Sequence, residues 1–242
     1  MIPKISGWLL LLCLPFMAYG QTAKNYVDEV PLLTTAEAYQ ATLDEIERHR
    51  IRFAKEHQAA ANALEKEKIL NKASFYIEET IANQVAHYWY GTRFDRNGIS
   101  TNPGTGLIAC SYFISTTLEH AGFKVNRKRL AQQSPLHIIQ SLSGKNYTQL
   151  HSRQELFDHT RAHGEGLYVV GFKTHVGFIY HTYRNTYLIH SSPLPPTTVA
   201  RVNVYNAASF KISPSFYIGK LGDNQKLILN WLKGWKIQTV LK

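Results

Sequence analysis

The spacing of apolar positions changes once along this chain. Up to about residue 164 they recur every three or four residues, the period of a helix face; beyond it they fall in short runs rich in β-branched and aromatic residues. The capping pattern Thr34-Thr35-Ala36-Glu37 predicts a first helix from Ala36 to about Leu64. Its Ala, Glu, Lys, Gln and Arg content suggests a surface arm. A second helix, Lys66 to Tyr88, puts Leu70, Ala73, Ile77, Ile81 and Val85 on one face. In a third, Cys110, Phe113, Ile114, Thr117, Leu118 and Ala121 share a face and Gly122 supplies the stop. A short helix is expected at Pro135–Leu142, and Ser152-x-x-Glu155 opens another that ends near Gly164. Strands follow at 167–172, 174–181, 186–191, 198–205 and 215–219, with a hairpin turn at 183–185, and then a last helix, Asn224–Trp235. Helices first and an antiparallel meander afterwards predict an α+β domain.

The first twenty residues do not fit that picture. Lys4, the apolar run Leu9–Met17 and the small residues around Ala18-Tyr19-Gly20 have the order of a cleaved secretory signal, with the mature chain expected to start at Gln21 in a periplasmic or extracellular compartment. Removing them changes the meaning of the cysteine count: of the two in 242 residues, only Cys110 remains. A lone thiol in an oxidising compartment cannot close an internal disulfide, so it points to intermolecular pairing or to chemistry. The formal charge of +10 favours anionic surfaces such as cell-wall polymers, lipid headgroups or nucleic acid. No basic run is interleaved with aromatics, so nucleic acid is not expected as a partner. Nothing after the signal is apolar for long enough to form a membrane helix.

Cys110 lies in the first turn of its helix, where unpaired N–H groups and the dipole favour a thiolate. The alternative is a buried structural cysteine beginning a core helix. A nucleophile needs a base and an orienting partner, and eleven histidines are available. His175 opens one strand, His190 ends the next, and Gly177 shares a face with His175 and removes a side chain that would crowd a packed helix. A tight hairpin with Arg184-Asn185 at its tip would set His190 opposite Ile179, four residues from His175, which leaves Asn203 as an alternative orienting residue. His159 and His163 have metal-ligand spacing but no third ligand in a zinc pattern, so surface histidines are expected. His181 is expected to be exposed near the turn and His120 to favour its helix dipole, while Trp231 and Trp235 are assigned to packing. Tyr88 and Trp89 fit a substrate platform or core packing equally.

Gly-Leu-Ile-Ala-Cys-Ser-Tyr-Phe-Ile, Gly-Glu-Gly-Leu-Tyr-Val-Val, His-Val-Gly-Phe-Ile and Tyr-Leu-Ile-His-Ser, in that order, resemble the NlpC-type cysteine peptidases of bacterial cell walls. The resemblance covers roughly residues 88–219. It implies a papain-like fold, with N-terminal helices and the nucleophile helix packed on a C-terminal antiparallel sheet. It also implies Cys110 as nucleophile, His175 as base, His190 as the residue that orients it, and Tyr90 lining the substrate site. The implied partner is a peptidoglycan stem peptide or another cell-wall peptide, with no metal or organic cofactor. The chain departs from the family at Ala109, where Asp is usual, at Ser111-Tyr112, where Ser-Gly is usual, and in an apparent insertion at 97–103. The expected division is a signal peptide at 1–20, a helical segment at 21–87 and a hydrolase domain at 88–242. Two other functions fit the same residues: an amidase or acyltransferase with another substrate, and a non-catalytic wall-binding module.

Overall fold

The computed structural model describes residues 36–240; the expected signal segment and the first two residues of the Thr34–Glu37 capping pattern lie outside them. The chain is α+β. Helix α1 (Ala36–Ala59) and α2 (Ala63–Thr80) form a hairpin, and α2 runs through a π-helical turn (Ile81–Val85) into α3 (Ala86–Trp89). Short strands β1 (Arg93–Phe94) and β2 (Leu107–Ile108) pair in parallel and lead into α4 (Cys110–His120). Then come α5 (Arg127–Ala131), α6 (Pro135–Ser143), β3 (Thr148–Leu150), α7 (Arg153–His163), β4 (Gly166–Gly171), β5 (Val176–His181), β6 (Thr186–Ser191), β7 (Val199–Asn203), α8 (Ser209–Ile212), β8 (Phe216–Lys220) and α9 (Gln225–Lys233).

Local chemistry accounts for most helix starts. Asn62, Ser134, Ser152 and Asn224 each accept a first-turn N–H with the side chain. At α7 the box closes both ways, since Glu155 takes the N–H of His151 at 2.9 Å while Ser152 takes the N–H of Glu155 at 3.1 Å. The main sheet has the order β3-β8-β4-β5-β6-β7 with every pair antiparallel. Four strands form the expected meander, but β8 returns beside β4 and β3 extends that edge. Both faces of the sheet are covered. Val169, Val176, Phe178 and Ile189 join a core with the helices around α4, whereas Val170, Phe172, Ile179 and Leu188 join a second core with Leu156 and Phe210. This is why β4 is buried at every position instead of at alternate ones.

The first helix is not the surface arm its composition suggests. Tyr39, Ile46 and Phe53, seven residues apart, are buried in the same core as α4 and α9. The Tyr39 hydroxyl accepts the indole N–H of Trp89 at 3.1 Å and donates to Nδ1 of His120 at 2.7 Å. Burial depresses the His120 pKa to about 4, so this imidazole is neutral and offers no charge to the α4 dipole, contrary to expectation. Removing the hydroxyl would leave a buried donor and a buried acceptor without partners. Tyr39→Phe is therefore expected to cost about 1–3 kcal/mol in urea unfolding, and an unchanged midpoint would show that α1 is not coupled to the core here. Trp231 packs as expected, fully buried, with its N–H on the Ala121 carbonyl at 2.8 Å. Trp235 does not: it is 56% exposed, with the Lys233 ammonium 4.3 Å from its ring centre.

Candidate active site

Cys110 is the first residue of α4, preceded by Ala109 at the N-cap in extended conformation. Alanine has no side chain with which to cap, so the N-cap residue accepts none of the first-turn N–H groups of α4. The segment before the cysteine is held from two directions. Ala109 N–H donates to the Gly98 carbonyl at 2.9 Å, and Gly98 approaches so closely that a Cβ there would lie 2.5 Å from the Ile108 nitrogen. From the sheet, the buried Ser191 hydroxyl donates to the Ile108 carbonyl at 2.7 Å. Ser191 follows His190, so this bond ties the approach to the cysteine to the strand that carries the second histidine.

The thiol is partly exposed and lies within reach of the peptide N–H groups of Val176, Ser111 and its own residue. Val176 directly follows His175. Burial pushes the Cys110 pKa up, these three N–H groups pull it back, and burial prevails. The resting group is a thiol. Desolvation by the surrounding chain opposes the thiolate that helix placement alone favours.

His175 closes the β4–β5 turn, its carbonyl accepting the Phe172 N–H at 2.8 Å, and its ring is buried at 7% exposure. Its Nε2 lies 2.7 Å from Nδ1 of His190, while its Nδ1 is buried with no hydrogen-bond partner among the described residues. Burial holds the His175 pKa at about 4 and drives that of His190 well down, with His175 adding to the effect on His190, so both rings are neutral near pH 7. A buried nitrogen without a partner is costly, and such atoms collect where chemistry is done.

Strand register explains how the two histidines meet. The β5–β6 loop has four residues, Thr182 to Asn185, closed by Thr182 N–H on the Asn185 carbonyl at 2.9 Å. Ile179 therefore pairs with Leu188 and Phe178 with Ile189, and the next position sets His190 across from Gly177. This corrects the expected pairing with Ile179 and brings His190 two residues closer to His175, onto the diagonal that side chains can bridge. Gly177 makes room for it: a Cβ there would lie 3.0 Å from the His190 Cβ and 3.0 Å from Leu188 Cδ1. The crowding avoided is with the neighbouring strand, not with a helix as the sequence suggested. Asn203, opposite Tyr187 and accepting the Tyr205 N–H at 3.0 Å, lies at the other end of the sheet and does not join the pair.

Tyr90 follows α3 with its ring half-buried against the α4-side core and edge-on to His87 at 5.6 Å. Trp89 is fully buried, which resolves its two readings in favour of packing. His159 and His163 stack at 4.0 Å, His163 Nδ1 lies 2.9 Å from the His159 carbonyl oxygen, and no group of three or more His, Cys, Asp or Glu side chains is placed to hold a metal among the described residues. No helix among them is long and apolar enough to cross a membrane. Sequence reading missed Arg127. Its guanidinium donates to Thr116 Oγ1 and to the carbonyls of Ile99 and Ser100 and lies 4.8 Å over the Tyr112 ring, fastening the 93–106 loop beside the start of α4. A basic residue in a short α5 gave no signal, because its partners are carbonyls of a distant loop.

Comparison with family models, with curated proteins and with solved structures finds no match to this chain. Function therefore rests on the chemistry of these residues. Because burial opposes the thiolate, the alkylation rate of Cys110 by iodoacetamide is expected to keep rising with pH through and beyond 9.0, the thiol's ordinary value. A rate already level by about pH 6 would instead mean a resting thiolate–imidazolium pair.

Proposed function

We propose that this chain is an exported papain-like cysteine hydrolase of the NlpC type, cleaving an amide bond in peptidoglycan stem peptides. The observation that carries the reading is the buried, unpartnered Nδ1 of His175, whose Nε2 is tied to His190 and whose neighbour Val176 offers its N–H to the Cys110 sulfur. With Nδ1 as proton acceptor, the His175 proton sits on Nε2 and is donated to His190 Nδ1. His190 thus fixes the tautomer and ring orientation, as the third member of a triad does.

Sγ attacks the scissile carbonyl carbon as its proton passes to His175 Nδ1. The carbonyl π pair moves to oxygen, where the uncapped N–H groups of Cys110 and Ser111 are the available donors. Collapse expels the amine, which takes the proton from Nδ1 and leaves a thioester. Water then attacks the thioester with Nδ1 as base, releasing the carboxylic acid and restoring the thiol. Starting from a neutral thiol and a neutral imidazole suits this proton transfer, since neither group must first lose or gain a charge. Tyr90 lines the substrate site in this reading, and the positive charge of the chain favours an anionic polymer.

Digestion of purified peptidoglycan, with identification of the freed ends, tests the proposal. New amino and carboxyl termini within stem peptides are expected. Transfer of the acyl group to an added amine in place of water would reassign the same site to an acyltransferase. No release and no transfer would leave the wall-binding alternative.

A further inference from the structure

A cavity of about 300 Å³ has Pro135, Gln149, Phe172, Lys173, Ser215 and Tyr217 among its lining residues. Phe172 is one of its lining residues, and the Phe172 ring stacks on the His175 imidazole at 5.9 Å between centres and 19° between planes. Among the described residues, Lys173 is the only charged residue that lines it, and no acidic one does. The Lys173 ammonium makes no ion pair or hydrogen bond to protein among the described residues. The surroundings reinforce its sign, since residues 81–240 contain seventeen Lys and Arg against six Asp and Glu.

We propose that this cavity is a binding site for a carboxylate-bearing group of about one amino-acid residue, with Lys173 as its counter-charge. The volume, at the lower limit for small-ligand sites, matches a side chain or a terminal residue. Phe172, Pro135 and Tyr217 offer apolar walls for its carbon atoms, while Gln149 and Ser215 offer neutral hydrogen-bonding groups. A single ammonium among neutral groups matches a monoanion.

Lys173 and His175 belong to one turn, closed by the Phe172 N–H on the His175 carbonyl, and two residues span at most about 7 Å. In the hydrolase reading, a carboxylate held at Lys173 would belong to the part of the substrate near the scissile amide. As a subsite of catalysis the proposal rests on the hydrolase reading; as a binding site it does not.

The test uses N-acetylalanine and its neutral counterpart N-acetylalaninamide, titrated at low salt into the isotopically labelled chain and followed by NMR. The acid is expected to bind at least tenfold more tightly than the amide, to shift resonances of Phe172 and Tyr217, and to lose that advantage in Lys173→Gln. Ser215→Trp, which fills the cavity, should weaken both probes. Equal affinities, a preference that survives Lys173→Gln, shifts confined to another surface, or no binding would each overturn the proposal. The titration needs no turnover. Selective binding in a chain that hydrolyses nothing would uphold the cavity and end the hydrolase reading, and hydrolysis without selective binding would do the reverse.

Discussion

Replacing Cys110 by serine is expected to lower amide hydrolysis by at least about a thousandfold while leaving the fold unchanged. Serine keeps the shape of the side chain, but its hydroxyl is far less acidic than a thiol, and a neutral imidazole with a pKa near 4 is too weak a base to compensate. His175→Ala should reach a similar loss by removing the proton acceptor, and the double variant should be little worse than either single one, because the two residues act as one unit. The acid limb separates their roles. Activity in the wild type requires neutral His175, so it should persist as pH falls below the ordinary histidine value of 6.5 and decline only near about 4. Equal wall digestion by wild type, Cys110→Ser and His175→Ala would end the hydrolase proposal.

How far the sequence was legible depended on whether a feature was local. Strand β6 was read at its observed limits, and α4, α6, α7 and β5 nearly so, because periodicity, caps and glycine stops act within a turn or two. Elements such as β3, α5 and α8 were invisible, being too short to show a period and held in place by distant partners. The face of α1 escaped for another reason. Three buried residues seven apart are a narrow stripe in a helix whose average is polar, so composition hid what spacing contained. The candidate site divides along the same line. The residue types and their order could be read, but the protonation balance could not. Helix placement favours a thiolate locally, whereas the burial that opposes it comes from the rest of the molecule.

The pairing of His175 with His190 depends on a glycine, and this gives the second large effect. A turn read as tight from its polar residues has four residues, and that difference moves His190 from Ile179 to Gly177. The position facing His190 must then lack a side chain, because a Cβ at Gly177 would sit 3.0 Å from that of His190. Gly177→Val is expected to push His190 off Nε2 of His175 and to lower kcat/KM by about a hundredfold, most of it in kcat, since orientation of the base matters most in the transition state. The added methyl groups should also cost about 1–3 kcal/mol through overpacking between two buried strands. Gly177→Ala, whose single carbon demands a shift of only a few tenths of an ångström, should lose far less of both. Circular dichroism and urea unfolding of the two variants separate misfolding from misorientation. If Gly177→Val folds and keeps wild-type kcat, His190 does not orient the base, and the catalytic unit reduces to Cys110 and His175.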